Sequence, residues 1–82
     1  MTFDIEWRPR ARKDFDGLDR SVKSRVRAAI ERLAWGDGDV RRLAGIDPPL
    51  FRLRTGDWRV LFRYEGAMIV ILRILPRDKA YR

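Results

Sequence analysis

The sequence predicts an α+β fold of two layers, in which a small, mostly antiparallel sheet carries two helices on one face. Two segments before Trp35 repeat apolar residues at helical spacing, and three segments after Pro49 have the short alternating or apolar runs of strands. The predicted order is strand, helix, helix, strand, strand, strand. A chain of 82 residues has room for one core, so we expect a single domain over residues 1–82.

The first strand and the first helix lie at the start of the chain. FDIEW, Phe3 to Trp7, alternates apolar and polar side chains as a short strand does. Pro9 suits the first helical position, because its φ is already helical and the N–H that it lacks would have no partner there. Gly17 is expected to end this helix early. Its apolar positions are Ala11, Phe15 and Leu18.

A longer second helix follows, with Asp19 or Ser21 as its N-cap. The Gly- and Asp-rich stretch from Trp35 to Asp39 marks its end. We expect Val40–Pro49 to be irregular, with a single turn around Arg41–Leu43, because two consecutive prolines prevent regular strand pairing. The apolar stripe of the second helix comprises Val22, Val26, Ala29, Ile30 and Leu33.

Three strands complete the sheet. Leu50–Arg54 alternates, and Thr55-Gly56-Asp57 turns the chain into Trp58–Tyr64. Glu65-Gly66 fits a tight hairpin turn. The last strand, Met68–Leu75, is almost wholly apolar, which is typical of a central strand that is buried on both faces.

Side-chain parity divides these strands into two faces, because alternate residues of a strand point to opposite sides. Single strand arginines often only cover apolar surface with their stems. Several on one face, with few acidic neighbours, repel one another unless an anion lies among them. The predicted helix-facing set is Phe51, Leu53, Trp58, Val60, Phe62, Tyr64, Met68, Val70, Leu72 and Ile74. The predicted opposite set is Leu50, Arg52, Arg54, Arg59, Leu61, Arg63, Ile69, Ile71, Arg73 and Leu75.

The charge balance also favours an anionic partner. The net charge is +7, and residues 50–82 hold eight Lys and Arg against three Asp and Glu. Sixteen of the nineteen basic residues are arginine. This excess is compatible with phosphate recognition, for which the planar guanidinium is suited, and equally with a GC-rich genome.

The chain contains no cysteine and no histidine. Thiolate metal sites, cysteine nucleophiles and histidine acid–base catalysis are therefore excluded, and we expect no metal and no cofactor. No apolar run is long enough to span a membrane, and the first residues lack an export signal. We therefore expect a cytoplasmic protein with no membrane partner.

An arginine cluster with a tyrosine suits phosphoryl transfer by charge stabilisation. When an RNA 2′-hydroxyl attacks the adjacent phosphate, guanidinium groups can stabilise the charge on the non-bridging oxygens. Tyr81 is a candidate base if nearby cations lower its pKa, and it is equally a residue whose ring packs on the sheet.

The block LFRLRTGDWRVLFRYE, the tight turn after it, the strand with Arg73 and the final PRDKAYR together resemble the RelE/ParE superfamily of toxins from bacterial toxin–antitoxin pairs. The N-terminal strand and helical pair agree with that family too. The resemblance implies a helical hairpin on one face of the sheet and an RNA-cleaving site on the other. RelE-like members cut mRNA in the ribosomal A site without metal, through a 2′,3′-cyclic phosphate.

Carried over by position, the resemblance assigns Arg59 and Arg77 to the phosphate and Tyr81 to the proposed base. It places Arg52 and Arg54 in contact with RNA, with Trp58 supporting the site. The remaining expected phosphate contacts are Arg73, Lys79 and Arg82. Two features depart from the family pattern: the Leu50–Arg54 strand has no lysine, and Pro76 precedes the key arginine.

The leading hypothesis is a ribosome-dependent mRNA endonuclease, with the ribosome and mRNA as partners. The alternatives are a ParE-like inhibitor of DNA gyrase and an inactive basic module that binds RNA or the ribosome. Either toxin hypothesis predicts an acidic cognate antitoxin that covers or distorts the basic site.

Overall fold

A computed structural model describes residues 2–80, so Tyr81 and Arg82 lie outside the described residues. The sheet has five strands in the order β1-β5-β4-β3-β2, with β1 parallel to β5 and every other pair antiparallel. The two helices pack on one face, which confirms the α+β prediction. The elements are β1 Asp4–Trp7, α1 Pro9–Asp16, α2 Arg20–Ala34, β2 Asp39–Arg42, β3 Phe51–Thr55, β4 Trp58–Glu65 and β5 Met68–Pro76.

The two helices begin where the sequence predicts. Pro9 opens α1, and Gly17 ends it. Of the two candidate caps for α2, Asp19 takes the role: its side chain accepts a hydrogen bond from the backbone N–H of Val22 at 3.0 Å. Within residues 2–80 no helix is both long and apolar enough to cross a membrane. The helical residues buried in the core are Ala11, Phe15, Val26, Ala29, Ile30 and Leu33.

The strand β2 was not predicted. Instead of an irregular segment with a turn around Arg41–Leu43, Asp39–Arg42 pairs with β3 along its whole length, and Val40 lies opposite Leu53. An edge strand takes its hydrogen bonds from a neighbour that is distant in sequence, so the single apolar residue of DVRR is a weak signal. The prediction holds only for the loop from Leu43 to Pro49.

A glycine allows the chain to enter β2. Gly38 has a φ of +150°, and a Cβ there would lie 2.8 Å from Cδ1 of Leu53. Leu53 is 1% exposed, so its side chain is held by the core and cannot move aside freely. Only a residue without a side chain lets the backbone approach β3 this closely.

A β-bulge reverses the predicted parity in the first half of β5. Leu61 pairs with Arg73 and Phe62 pairs with Ile71, so Leu72 is an extra residue between them. The helix-facing core therefore contains Ile69 and Ile71, and the prediction that Met68, Val70 and Leu72 would face the helices is wrong. One inserted residue moves every side chain on one side of it to the other face, because the strand period is two.

Candidate anion-binding site

Strand register brings four arginines onto the face of the sheet opposite the helices. Arg54 of β3 lies directly across from Arg59 of β4, and Arg52 lies across from Leu61. Arg63, farther along β4, lies across from Val70. Cross-strand partners share a face with Cβ atoms about 5 Å apart, so these residues form one surface. We call it the arginine face: Arg52, Arg54, Arg59 and Arg63.

Arg52 has an acidic partner on the strand that was not predicted. Its Nη1 donates to the backbone oxygen of Asp39 at 2.9 Å and to Oδ1 of the same residue at 3.2 Å. Arg52 is 8% exposed, so much of its charge is satisfied within the protein. Arg54 is 4.0 Å from Oδ2 of Asp39, with a side chain that is 58% exposed. The expectation of few acidic neighbours is therefore wrong for Arg52, whereas Arg54 remains accessible to a ligand.

Arg59 is held in place by the backbone of the β3–β4 turn. Its Nη1 donates to the carbonyl oxygens of Gly56 at 3.0 Å and Trp58 at 2.9 Å, and the residue is 8% exposed. Among the hydrogen bonds within residues 2–80, only this nitrogen of the guanidinium is used. The group is oriented by the fold before any ligand arrives, which is what electrostatic stabilisation of a transition state requires.

Arg77 reaches the same end of the sheet from the other side. Pro76 pairs with Trp58 at the end of β5, and the backbone N–H of Arg77 then donates to the carbonyl of Asp57 at 2.9 Å. This bond fastens the segment after β5 to the turn that holds Arg59. Arg77 is exposed, so its guanidinium can reach a ligand at that end.

Arg73 makes its strongest contacts with α1 instead of the arginine face. Its Nε donates to Oδ2 of Asp14 at 2.8 Å, and Nη2 donates to Oδ1 at 3.3 Å. The hydrogen bond that Arg73 donates to Asp14 raises the pKa of Arg73 above its ordinary value. No sequence signal indicated this pair, because the two residues are 59 positions apart and meet only when α1 packs beside β5.

Arg63, predicted on this face but not among the expected phosphate contacts, offers a further donor. Its Nε is buried and has no hydrogen-bond acceptor in the part of the chain from residue 2 to residue 80. A buried donor without a partner is destabilising by about 1–3 kcal/mol, so an anion at this position would satisfy it. Of the other predicted residues, Lys79 is exposed in the turn after β5, whereas Tyr81 and Arg82 are not described.

Chemically, residues 2–80 supply the site with fixed positive charge and no histidine. Residues 2–80 contain no group of three His, Cys, Asp or Glu residues that could hold a metal ion. Arg54, Arg59 and Arg77 belong to three segments that come together at one end of the sheet, and guanidinium forks match phosphate oxygens in geometry. The arrangement can bind a phosphate and stabilise charge that develops on it.

A comparison with protein families finds one match along almost the whole chain. The family is described as "ParE toxin of type II toxin-antitoxin system, parDE", and the match covers residues 5–81. A comparison with curated protein sequences finds no match.

Solved structures share the fold. The RelE–RelB complex from the archaeon Pyrococcus horikoshii contains a chain 26% identical, with a TM-score of 0.76, over 98% of this chain and 100% of that one. The RelB–RelE complex from Methanococcus jannaschii contains a chain 20% identical, with a TM-score of 0.76, over 93% of this chain and 94% of that one. The RelBE2 complex from Mycobacterium tuberculosis contains a chain 26% identical, with a TM-score of 0.62, over 94% of this chain and 100% of that one.

Proposed function

The chain belongs to the ParE toxin family of type II toxin–antitoxin systems, and we propose that it acts as a ribosome-dependent mRNA endonuclease. The observation that carries the proposal is the convergence of Arg54, Arg59 and Arg77. Register places the first two side by side, and the Arg77–Asp57 backbone bond brings the third to the same turn. Such a cluster suits a phosphate that gains negative charge during cleavage.

In the proposed reaction the RNA 2′-oxygen attacks the adjacent phosphorus while the bond to the 5′-oxygen breaks. Arg59 and Arg77 stabilise the charge on the non-bridging oxygens. Tyr81, as its phenolate, takes the proton from the 2′-hydroxyl, and the departing 5′-oxygen takes a proton from water; the hydroxide that is left then removes the proton from Tyr81 and restores the phenolate. The products are a 2′,3′-cyclic phosphate and a free 5′-hydroxyl, with no metal required.

The other members of the site bind the RNA strand on either side of the scissile phosphate. Arg54 and the unpartnered Nε of Arg63 supply donors on the arginine face, and Lys79 and Arg82 extend the positive charge along the C-terminal segment. Arg52 and Arg73 act more through position, since each is already paired with a carboxylate.

A specific observation favours a second function, inhibition of DNA gyrase without RNA cleavage. The matching family is named for ParE toxins, and the guanidinium groups of Arg52 and Arg59 are partly satisfied by their own chain. Under this alternative the arginine face binds a protein or DNA surface and performs no chemistry.

Both functions include an acidic cognate antitoxin. The solved relatives from Pyrococcus horikoshii and Methanococcus jannaschii are RelE–RelB complexes, and a protein of net charge +7 attracts an acidic partner. The antitoxin would neutralise the toxin by covering the arginine face.

The test is primer extension on translated mRNA after induction of this protein alone in cells. Arg77→Ala and Tyr81→Phe are compared with wild type, and Arg32→Ala, an exposed arginine on α2, is the matched control. We expect discrete cuts within codons for the wild type and the control, weakened at least tenfold in the two site variants.

Two other outcomes would overturn the endonuclease. Intact mRNA with growth arrest and DNA-damage signalling would support gyrase inhibition. Intact mRNA with normal growth would leave a basic module that binds RNA or the ribosome without enzymatic activity.

A further inference from the structure

A second basic surface lies at the end of the sheet, next to the arginine face. A cleft of about 760 Å³ opens between α1 and the carboxyl end of β5. This volume falls within the range of small-ligand sites, about 300–1,000 Å³. Its main polar residues are Arg10, Lys13, Asp14, Arg73 and Lys79, and its main apolar residues are Leu18, Trp58, Leu75 and Pro76.

The positive charge of the cleft is only partly neutralised. Asp14 is occupied: both of its oxygens accept from Arg73, and Oδ2 also accepts from the backbone N–H of Ile74 at 2.9 Å. Arg10, Lys13 and Lys79 are exposed. No carboxylate of the described chain lies within 4.0 Å of their charged nitrogens. Three cations therefore line the cleft without a counterion from residues 2–80.

An aromatic ring lies in the same cleft. Trp58 is half-buried and packs with one side against the core, and it lines the cleft with Lys13 and Lys79. Each nucleotide of a single RNA strand carries one phosphate and one planar base. Proteins bind such strands by combining a positive groove with aromatic rings on which bases stack.

Trp58 also connects this cleft to the arginine face. Trp58 and Arg59 are consecutive residues of β4, so their side chains point to opposite faces at the end of the sheet. A strand that crosses this end can contact Arg59 and Arg77 on one side and Trp58 on the other.

We propose that the cleft is a second nucleotide-binding subsite, which holds a phosphate of single-stranded RNA between Arg10, Lys13 and Lys79 and a neighbouring base against Trp58. This subsite rests on the proposed RNA-cleaving function and adds to it a binding contribution from α1. It would fix which nucleotide flanking the scissile phosphate is held.

Fluorescence anisotropy tests the subsite with a labelled 12-nucleotide RNA that carries 2′-O-methyl groups throughout and therefore cannot be cleaved. The charge-reversal variant R10E/K13E is compared with R32E/R42E, which makes the same change in net charge at two exposed arginines outside the cleft. Circular dichroism checks that each variant is folded. Lys79→Glu, in the turn after β5, tests the same subsite without altering α1.

We expect R10E/K13E and Lys79→Glu each to weaken binding at least tenfold, and R32E/R42E to weaken it less than threefold. The slope of log affinity against log salt should become shallower by about 0.7 in R10E/K13E, the value for one lost phosphate contact in single-stranded nucleic acid. Tryptophan emission, which comes from Trp58 together with Trp7 and Trp35, should be quenched by RNA in the wild type and less so in R10E/K13E.

The outcomes separate this inference from the proposed function. If the wild type cleaves mRNA and binds the RNA but the cleft variants bind as well as R32E/R42E, the subsite is wrong and the nuclease stands. If R10E/K13E binds RNA normally but loses the antitoxin, the cleft is a protein-binding surface and the subsite is again wrong. If the wild type neither binds the RNA nor cleaves mRNA, both proposals fail.

Discussion

At the scale of single residues, Asp14 joins α1 to β5 by accepting hydrogen bonds from two residues of that strand. Its carboxylate accepts from Arg73 at 2.8 Å and from the backbone N–H of Ile74 at 2.9 Å, where β5 extends beyond its pairing with β1. The Asp14 carboxylate therefore satisfies a backbone N–H on the unpaired edge of β5 and also neutralises the charge of Arg73. We expect Asp14→Asn to place an amide N–H against a guanidinium or a backbone donor.

The expected loss for Asp14→Asn is about 1.5–3 kcal/mol in the free energy of unfolding, the range for hydrogen bonds to charged groups. Urea denaturation measures it, with Asp16→Asn as the control, since Asp16 is exposed on the same helix. Equal stability of the two variants would show that solvent replaces these bonds without loss.

The candidate site shows what single residues reveal in sequence. The alternation after Leu50 placed Arg52, Arg54, Arg59 and Arg63 on one face, and their register agrees. Two acidic partners of strand arginines were not predictable. Asp39, the partner of Arg52, lies on an unpredicted strand, and Asp14 meets Arg73 only through helix packing. A local pattern predicts the direction of a side chain but not its distant neighbour.

At the scale of elements, the β-bulge at Leu72 decides which side chains of β5 enter the core. Ile71 is fully buried in the helix-facing cluster, whereas Leu72 is only half-buried. Ile71→Ala should destabilise the protein by about 2–5 kcal/mol, as expected for a large core residue. Leu72→Ala should have a clearly smaller effect, and denaturant unfolding of both variants gives the comparison. The opposite ranking would restore the parity predicted from sequence.

A substitution at Gly38, where the chain enters β2, tests how closely that strand approaches β3. Gly38→Ala combines a positive φ with a Cβ 2.8 Å from Leu53, so it should destabilise more than Gly36→Ala. Gly36 also has a positive φ, of +85°, but open space around its Cβ position. We expect about 1–3 kcal/mol from backbone strain in both, with an added loss at Gly38 from displacing Leu53. Thermal unfolding compares them, and equal losses would mean that the loop yields without disturbing β3.

Elements with a strong local signal were predictable and the others were not. Both helices have a cap or an N-terminal proline and a buried stripe within their own sequence. The strand β2 is specified mainly by the hydrogen bonds that β3 offers. The bulge in β5 adds one residue to an unbroken apolar run, where either face looks equally suitable for burial.

At the scale of the whole molecule, the net charge of +7 sets a condition on stability. Like charges across a small domain destabilise the compact state. Raising sodium chloride from about 0.01 M to about 0.1 M shortens the Debye length from about 30 Å to about 10 Å. The melting temperature of the isolated protein should therefore rise by a few degrees.

Thermal unfolding followed by circular dichroism checks the salt effect. The variant R32E/R42E, with four fewer positive charges in net terms, should show a smaller rise. A melting temperature that falls with salt would mean that the pairs Arg73–Asp14 and Arg52–Asp39 outweigh the general repulsion.

The parallel pairing of β1 with β5 bears on how the protein is made. Asp4 lies opposite Met68, so β1 has no neighbour in the sheet until β5 has been synthesised. The helical pair likewise meets Ile69, Ile71 and Ile74 only after these residues are synthesised. A nascent chain still inside the exit tunnel therefore cannot complete its core. The protein that we propose attacks translation would therefore gain its active form only after β5 has left the tunnel.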